Sequence, residues 1–274
     1  MFSDLFSLLV LLVTGFFAGT LGGLLGIGGC VIIMPVIRFG FDFPPTVMVG
    51  TSLAAVVFTS ASGAWNNWRI GNVDNNTTLT FAVSGVFGIV IGSAVFASIA
   101  RFGALIDLLI GLAFLWPALR MLNEGLSPKR SPESVETRVP GGRMVKMTIG
   151  SSVGLLTGIT GLCGGYALVP LSVYALKSHM KIAIGTSLAS FFWFALLGAT
   201  IKYYEGFVDV EAALILGIAA AVGAAYGVKL MQRLNTPVLK LIFGVIITYV
   251  SIKYILLYCS TAFALSLENK KAEL

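Results

Sequence analysis

One glycine-studded segment occurs twice in this chain, 135 residues apart, and the copies align without a gap. The first runs Gly15, Gly19, Gly22-Gly23, Gly26, Gly28-Gly29-Cys30 and on to Pro35. The second runs Gly150, Gly154, Gly158, Gly161, Cys163-Gly164-Gly165 and on to Pro170. The match continues through Gly50-Thr51-Ser52-Leu53-Ala54 against Gly185-Thr186-Ser187-Leu188-Ala189. It then takes in Gly71 with Gly206, Val73-Asp74 with Val208-Asp209, and Gly88 and Gly92 with Gly223 and Gly227. Twenty of the 78 positions from Gly15 to Gly92 are identical at this offset. The chain is a duplicated unit, and any fold must give both copies an equivalent environment.

Composition fixes where that unit lives. Of the 274 residues, 57% are hydrophobic and 11% charged, where an ordinary soluble sequence carries roughly a quarter charged residues. Apolar runs at 5–22, 47–66, 78–100, 103–122, 144–160, 182–201, 209–231 and 237–258 approach or exceed the ~18 residues a bilayer crossing needs. The first run has no basic segment before it, so a cleaved secretory signal is not expected. In this setting the net charge of +6 reflects cytoplasmic loops rich in Lys and Arg, not nucleic-acid binding.

Two shorter apolar pieces, at about 31–39 and 166–176, follow the glycine runs and are too short to span alone at about 1.5 Å per residue. Each interior glycine costs a helix about 1 kcal/mol relative to alanine, so the runs predict breaks. The expected element is a re-entrant hairpin, which is tolerated at membrane depth only when buried in protein or lining a watery cavity. If these hairpins do not cross, the halves are inverted and 12 of the 18 basic residues fall on the side of the central linker, against 11 for a parallel arrangement. The expected fold class is an all-α integral membrane protein. It has two homologous halves in inverted repeat and about eight membrane segments, two of them glycine-broken or re-entrant hairpins. The expected divisions are a first transmembrane repeat at 1–122, a cytoplasmic linker at 123–143, a second repeat at 144–260 and a polar tail at 261–274.

Glycines at every fourth position, as in Gly15/Gly19/Gly23, serve close helix packing in lipid. The clustered glycines do something else. Gly26, Gly28 and Gly29, and Gly161, Gly164 and Gly165, precede a short helix whose unpaired N–H groups and positive dipole end suit an anion. No strand precedes the runs and no Gly-Lys-Ser/Thr follows, which excludes a dinucleotide fold or a P-loop. Thr51-Ser52 and Thr186-Ser187 recur at the start of a span in both halves. They are candidate cavity hydroxyls, with helix back-bonding as the bland alternative. Cys30 and Cys163 enter the turns at non-equivalent positions, opposite Gly165 and Gly28, and read either as small hydrophobes or as thiols beside a substrate. Of the polar residues near span ends, Lys202 and Asn66-Asn67 are secondary candidates. No Asp or Glu falls mid-span, which argues against cation transport, and no catalytic motif is present.

The doubled glycine motif with its proline, the paired Gly-Thr-Ser-Leu-Ala segments and the Gly-x-Val-Asp endings resemble the TauE/SafE sulfite-exporter family of membrane permeases. That resemblance covers nearly the whole chain. It implies a multi-pass protein of the cytoplasmic membrane that exports small sulfur-containing anions, such as sulfite or organosulfonates, without a cofactor or metal. A passive anion channel or a transporter of another small organic anion remains the alternative, and homodimerisation is left open. Substitution of Cys163 for a glycine breaks strict symmetry between the two candidate turns.

Overall fold

A computed structural model of the chain describes residues 5–99, 138–160 and 164–272, with a few isolated helical positions between 108 and 126. The expected span at 103–122, most of the linker, Gly161 and Cys163 lie outside the described residues. Among those described, every regular element is a helix: α1 (Leu5–Leu25), α2 (Cys30–Gly40), α3 (Pro45–Arg69), α4 (Asn75–Ile99), α5 (Arg143–Thr160), α6 (Gly165–Tyr174), α7 (Met180–Tyr204), α8 (Val210–Arg233) and α9 (Thr236–Ala272). Six of these have stretches long and apolar enough to cross a membrane, within α1, α3, α4, α7, α8 and the first part of α9. The short helices α2 and α6 fall where the glycine runs predict breaks. The helix α9 continues beyond its apolar stretch through most of the polar tail.

Local chemistry sets the helix ends. Pro45 opens α3, where its missing N–H leaves no intrahelical bond unmade. The chain leaves α3 through Gly71 at φ +76° and α7 through Gly206 at φ +78°. In both exits the next N–H reaches back to a helical carbonyl, Asn72 to Asn67 at 3.0 Å and Phe207 to Lys202 at 2.9 Å. A left-handed residue after the last turn favours glycine, because a side chain there costs ~1 kcal/mol or more. The next helices start on matched aspartates. Asp209 accepts the Ala212 N–H at 3.0 Å, and Asp74 accepts those of Asn76 and Thr77 at 3.1 and 3.4 Å.

The small-residue faces pair elements from different halves. On α1, Gly15, Gly19 and Gly23 lie against Leu216, Ala220 and Ala224 of α8, advancing in step, so the two helices run parallel. On α5, Gly150, Gly154 and Gly158 lie in the same way against Phe81, Gly85 and Ile89 of α4. At each contact but Gly150 a Cβ would strike the partner's backbone, and at Gly150 it would strike the Ser84 hydroxyl. Without water to drive helices together, such close approach is how apolar helices gain packing in lipid.

The helix ends sort into two groups. One end gathers the last turns of α3 and α8 with the first turns of α4, α5 and α7, as the Lys146–Thr77 and Lys181–Gln232 bonds record. It carries Arg69, Arg143, Lys146, Lys181, Lys229 and Arg233. The other end holds the start of α3 and α8 and the finish of α4 and α7, where the buried Lys202 ammonium is 2.8 Å from Glu205 and 3.6 Å from the Phe96 ring centre.

At the basic end the linker is clipped to the bundle. The Lys146 ammonium donates to the Thr77 hydroxyl and to the Val139 carbonyl, both at 2.7 Å. The Thr77 hydroxyl donates to Asp74 at 2.6 Å, and the Val139 N–H donates to the same carboxylate at 3.0 Å. Burial works to raise the Asp74 carboxyl, but these bonds, the Thr77 N–H and the Lys146 charge outweigh it and hold the group below its ordinary value.

Candidate functional site

Each glycine run terminates a long helix and starts a short one that turns back. The helix α1 starts at the same end as α3, because α2 delivers the chain to Pro45 and Thr51 there bonds the α8 start. The helix α5 starts at the basic end beside Thr77, and α6 returns the chain to the start of α7 at that end. The two hairpins therefore enter the bundle from opposite ends, and their tips meet. A Cβ on Gly165 would land on the Gly26 carbonyl, and it would be 2.8 Å from the Ile27 Cα. Gly26 is also closed in by Ile184 and Val169, each 3.0 Å from its Cβ position. The Ser187 hydroxyl donates to the Gly26 carbonyl at 3.2 Å.

The first turn is built on left-handed backbone: φ is +76° at Gly26, +75° at Gly28 and +90° at Gly29. Gly29 caps α2, its carbonyl accepting the N–H groups of Ile32 and Ile33 at 3.1 and 3.2 Å. The first N–H groups of an α-helix have no intrahelical acceptor, so this end of α2 offers donors at the centre of the bundle. Gly164, which caps α6, is right-handed at φ −49°, and Val153, Phe191 and Phe194 crowd its Cβ position at 3.0–3.2 Å. The described part of the second turn is thus right-handed and crowded by apolar side chains, where the first is built on left-handed glycines.

A residue that sequence reasoning passed over stands beside the first turn. A Cβ on Gly22 would be 2.8 Å from the Gly29 nitrogen and 3.0 Å from the Thr59 Cγ2, which puts Thr59 next to the start of α2. Thr59 is fully buried and its hydroxyl has no hydrogen-bond partner among the described residues. Ser52, seven residues earlier on the same face of α3, is also fully buried, its hydroxyl unpartnered among the described residues. Leaving one such group unpaired costs about 1–3 kcal/mol. At the repeat offset Thr59 corresponds to Phe194 and Ser52 to the bonded Ser187, so neither has an unpaired counterpart in the second half. Comparing the two copies position by position would have marked Thr59.

The other sequence candidates are placed elsewhere. The Thr51 hydroxyl accepts the Asp209 N–H at 2.9 Å, and the Thr186 hydroxyl accepts the Asp74 N–H at 3.1 Å. These are matched ties between halves, one at each end of the molecule. Cys30 is fully buried at the first residue of α2 with its sulfur in a disulfide, so it presents no thiol. Two further hydroxyls beside the glycine runs, Thr20 and Thr157, bond back to the Phe16 and Val153 carbonyls in their own helices at 2.8 Å. Lys202 is committed to Glu205, and the Asn67 amide to the Gly63 carbonyl at 2.9 Å.

Comparison with known proteins agrees with this architecture. The family model Sulfite exporter TauE/SafE matches residues 11–254. The Probable membrane transporter protein YunE of Bacillus subtilis is 26% identical over 266 residues, covering 91% of this chain and 97% of its own length. A Probable membrane transporter protein of Xylella fastidiosa strain Temecula1 is 31% identical over 260 residues, covering 90% of this chain and 94% of its own. No solved structure matches the chain.

Proposed function

The chain belongs to the TauE/SafE sulfite exporter family of multi-pass membrane transporters, and from that premise we propose that it moves small sulfur-containing anions such as sulfite or organosulfonates, bound at the first glycine turn. The observation that carries this reading is the pair of unpaired buried hydroxyls, Ser52 and Thr59, with Thr59 next to the start of α2. A sulfur oxyanion brings acceptor oxygens, which the hydroxyls and the first N–H groups of α2 lack. Donors and a helix dipole hold such a charge without a buried lysine or arginine. Gly28 and Gly29 supply the backbone shape that turns those N–H groups inward, while Gly26 and Gly165 form the contact between hairpins and Ser187 bonds the Gly26 carbonyl.

Matched contacts at the 135-residue offset support an inverted repeat. Thr51 with Asp209 mirrors Thr186 with Asp74, and Gly50 on Phe207 mirrors Gly185 on Asn72. Hairpins entering from opposite ends and meeting at their tips are the arrangement expected when two related halves alternate access to a central site. The basic end then faces the cytoplasm.

Flux into proteoliposomes tests the assignment. Saturable uptake of sulfite or methanesulfonate, with sulfate and acetate moved poorly, is the expected result. Gly28→Leu should insert normally and abolish that uptake. Equal flux of all four anions, or normal flux in Gly28→Leu, would refute the site.

A further inference from the structure

Between the last turns of α3 and α8, at the basic end, lies a cavity of about 350 Å³ lined by Asn66, Arg69, Ile70, Val228, Lys229 and Gln232. It is distinct from the hairpin tips; Arg69, Ile70, Lys229 and Gln232 are exposed, Asn66 is half-buried and Val228 is buried. Arg69 and Lys229 face it from different helices, and among the described residues neither is paired with a carboxylate; the Lys202–Glu205 pair is at the other end. A helix C-terminus accounts for one cation in its last turn, and Arg233 fills that role for α8. Lys229, one turn earlier, is surplus to it. Asn66 and Gln232 add amide groups, and Lys181 closes the rim by donating to the Gln232 carbonyl at 3.1 Å.

Depth in the membrane is marked by tryptophan. Trp65 and Trp68 are 57% and 54% exposed with ring centres 5.5 Å apart, and the Arg69 guanidinium is 5.7 Å from the Trp65 ring centre. Exposed tryptophans at the end of an apolar span belong at the headgroup level. Beyond them lies a crevice of about 270 Å³, walled mainly by Ala61, Ala64, Val73, Ala189, Phe192 and the two indoles. A cationic cavity thus stands on one side of the tryptophan pair and an apolar slot on the other.

We propose that this is a binding site for an anionic phospholipid of the leaflet at the basic end. The lipid phosphate sits between Arg69 and Lys229, its headgroup hydroxyls reach Asn66 and Gln232, and an acyl chain lies in the crevice beside Trp65 and Trp68. Attraction of a basic residue to an anionic leaflet changes affinity about five-fold per charge, so removing both cations weakens binding roughly 25-fold.

The test counts lipids retained by the purified full-length protein after exposure to mixed phosphatidylglycerol and phosphatidylcholine vesicles. Wild type is expected to retain phosphatidylglycerol selectively. Arg69→Gln/Lys229→Gln should lose that selectivity with an unchanged melting temperature, because both side chains are exposed. Lys253→Gln, near Phe39, should behave as wild type. Equal retention by the double variant would overturn the site. Displacement of the lipid by millimolar inorganic phosphate would overturn the lipid assignment in favour of an aqueous anion.

Discussion

Thr59→Val separates a ligand hydroxyl from a structural one, because the two roles move stability and affinity in different directions. Thr59 lies beside the start of α2 through its methyl group, and its buried hydroxyl has no partner among the described residues. Valine keeps the branched shape and removes the polar group. In the substrate-free protein this relieves a penalty of about 1–3 kcal/mol. For a chain of this size that raises the melting temperature by several degrees, at ~2–4 °C per kcal/mol. With substrate bound, the same change removes a hydrogen bond to a charged group, about 1.5–3 kcal/mol, so KM should rise roughly ten- to 150-fold. Thr59→Ser should keep KM close to wild type. The assay is sulfite uptake over a concentration series, alongside thermal unfolding without sulfite. A variant that melts higher with unchanged KM would show that the hydroxyl never meets the anion. One that melts lower would show that it is already bonded in the free protein. Either result refutes the argument.

The hairpin contact predicts that Gly165→Ala, whose Cβ lands on the Gly26 carbonyl, costs about 1–3 kcal/mol by overpacking and slows transport. Gly206→Ala, in open space at φ +78°, should cost only backbone strain, ~1 kcal/mol, and leave transport rates intact; melting curves and uptake rates check both. Thr51→Val and Thr186→Val each leave a buried N–H without its acceptor, so each should destabilise by about 1–3 kcal/mol with KM for sulfite unchanged. A rise in KM would restore these threonines to the binding site. For Asp74 the folded carboxyl lies below its ordinary value, so its contribution is complete above about pH 4 and is lost as pH falls through the lower folded value. Wild type should therefore melt above Asp74→Asn at pH 7, with the two curves converging in acid; a gap independent of pH would contradict the assignment.

The helices were legible because each boundary has a local chemical cause. The run read at 47–66 becomes Pro45–Arg69, since Pro45 can start a helix and Gly71 can end one, and the polar Asn66–Arg69 turn continues the helix beyond the apolar stretch. The duplicated Thr-Ser pairs were legible as important but not in role. Only the cross-half contact shows that the threonine holds the other half's Asp N–H while Ser187 holds Gly26. Lys146 reads in sequence as one more loop charge. Its burial against Thr77 and Val139 depends on a fold-back of the linker that no spacing rule encodes.

The residues matched at the 135-residue offset hold the frame, and the unmatched ones form the proposed site. Where the two copies match, the residues do the same mechanical job: glycine along the close α1–α8 and α4–α5 contacts, aspartate at the starts of α4 and α8, threonine at each tie between halves. At the centre the halves part company. Thr59 faces the first turn where Phe194 crowds the second, and Ser52 stands unpaired where Ser187 is bonded. A perfectly symmetric centre would present two equal, competing anion positions a short distance apart, and two like charges repel strongly in a low-dielectric interior. On the proposed reading, phenylalanine at the second position leaves one place for one charge. The apolar hairpin then serves as the surface against which the polar one closes, so Phe194→Thr should add a second, weaker sulfite site and lower the turnover rate rather than raise it.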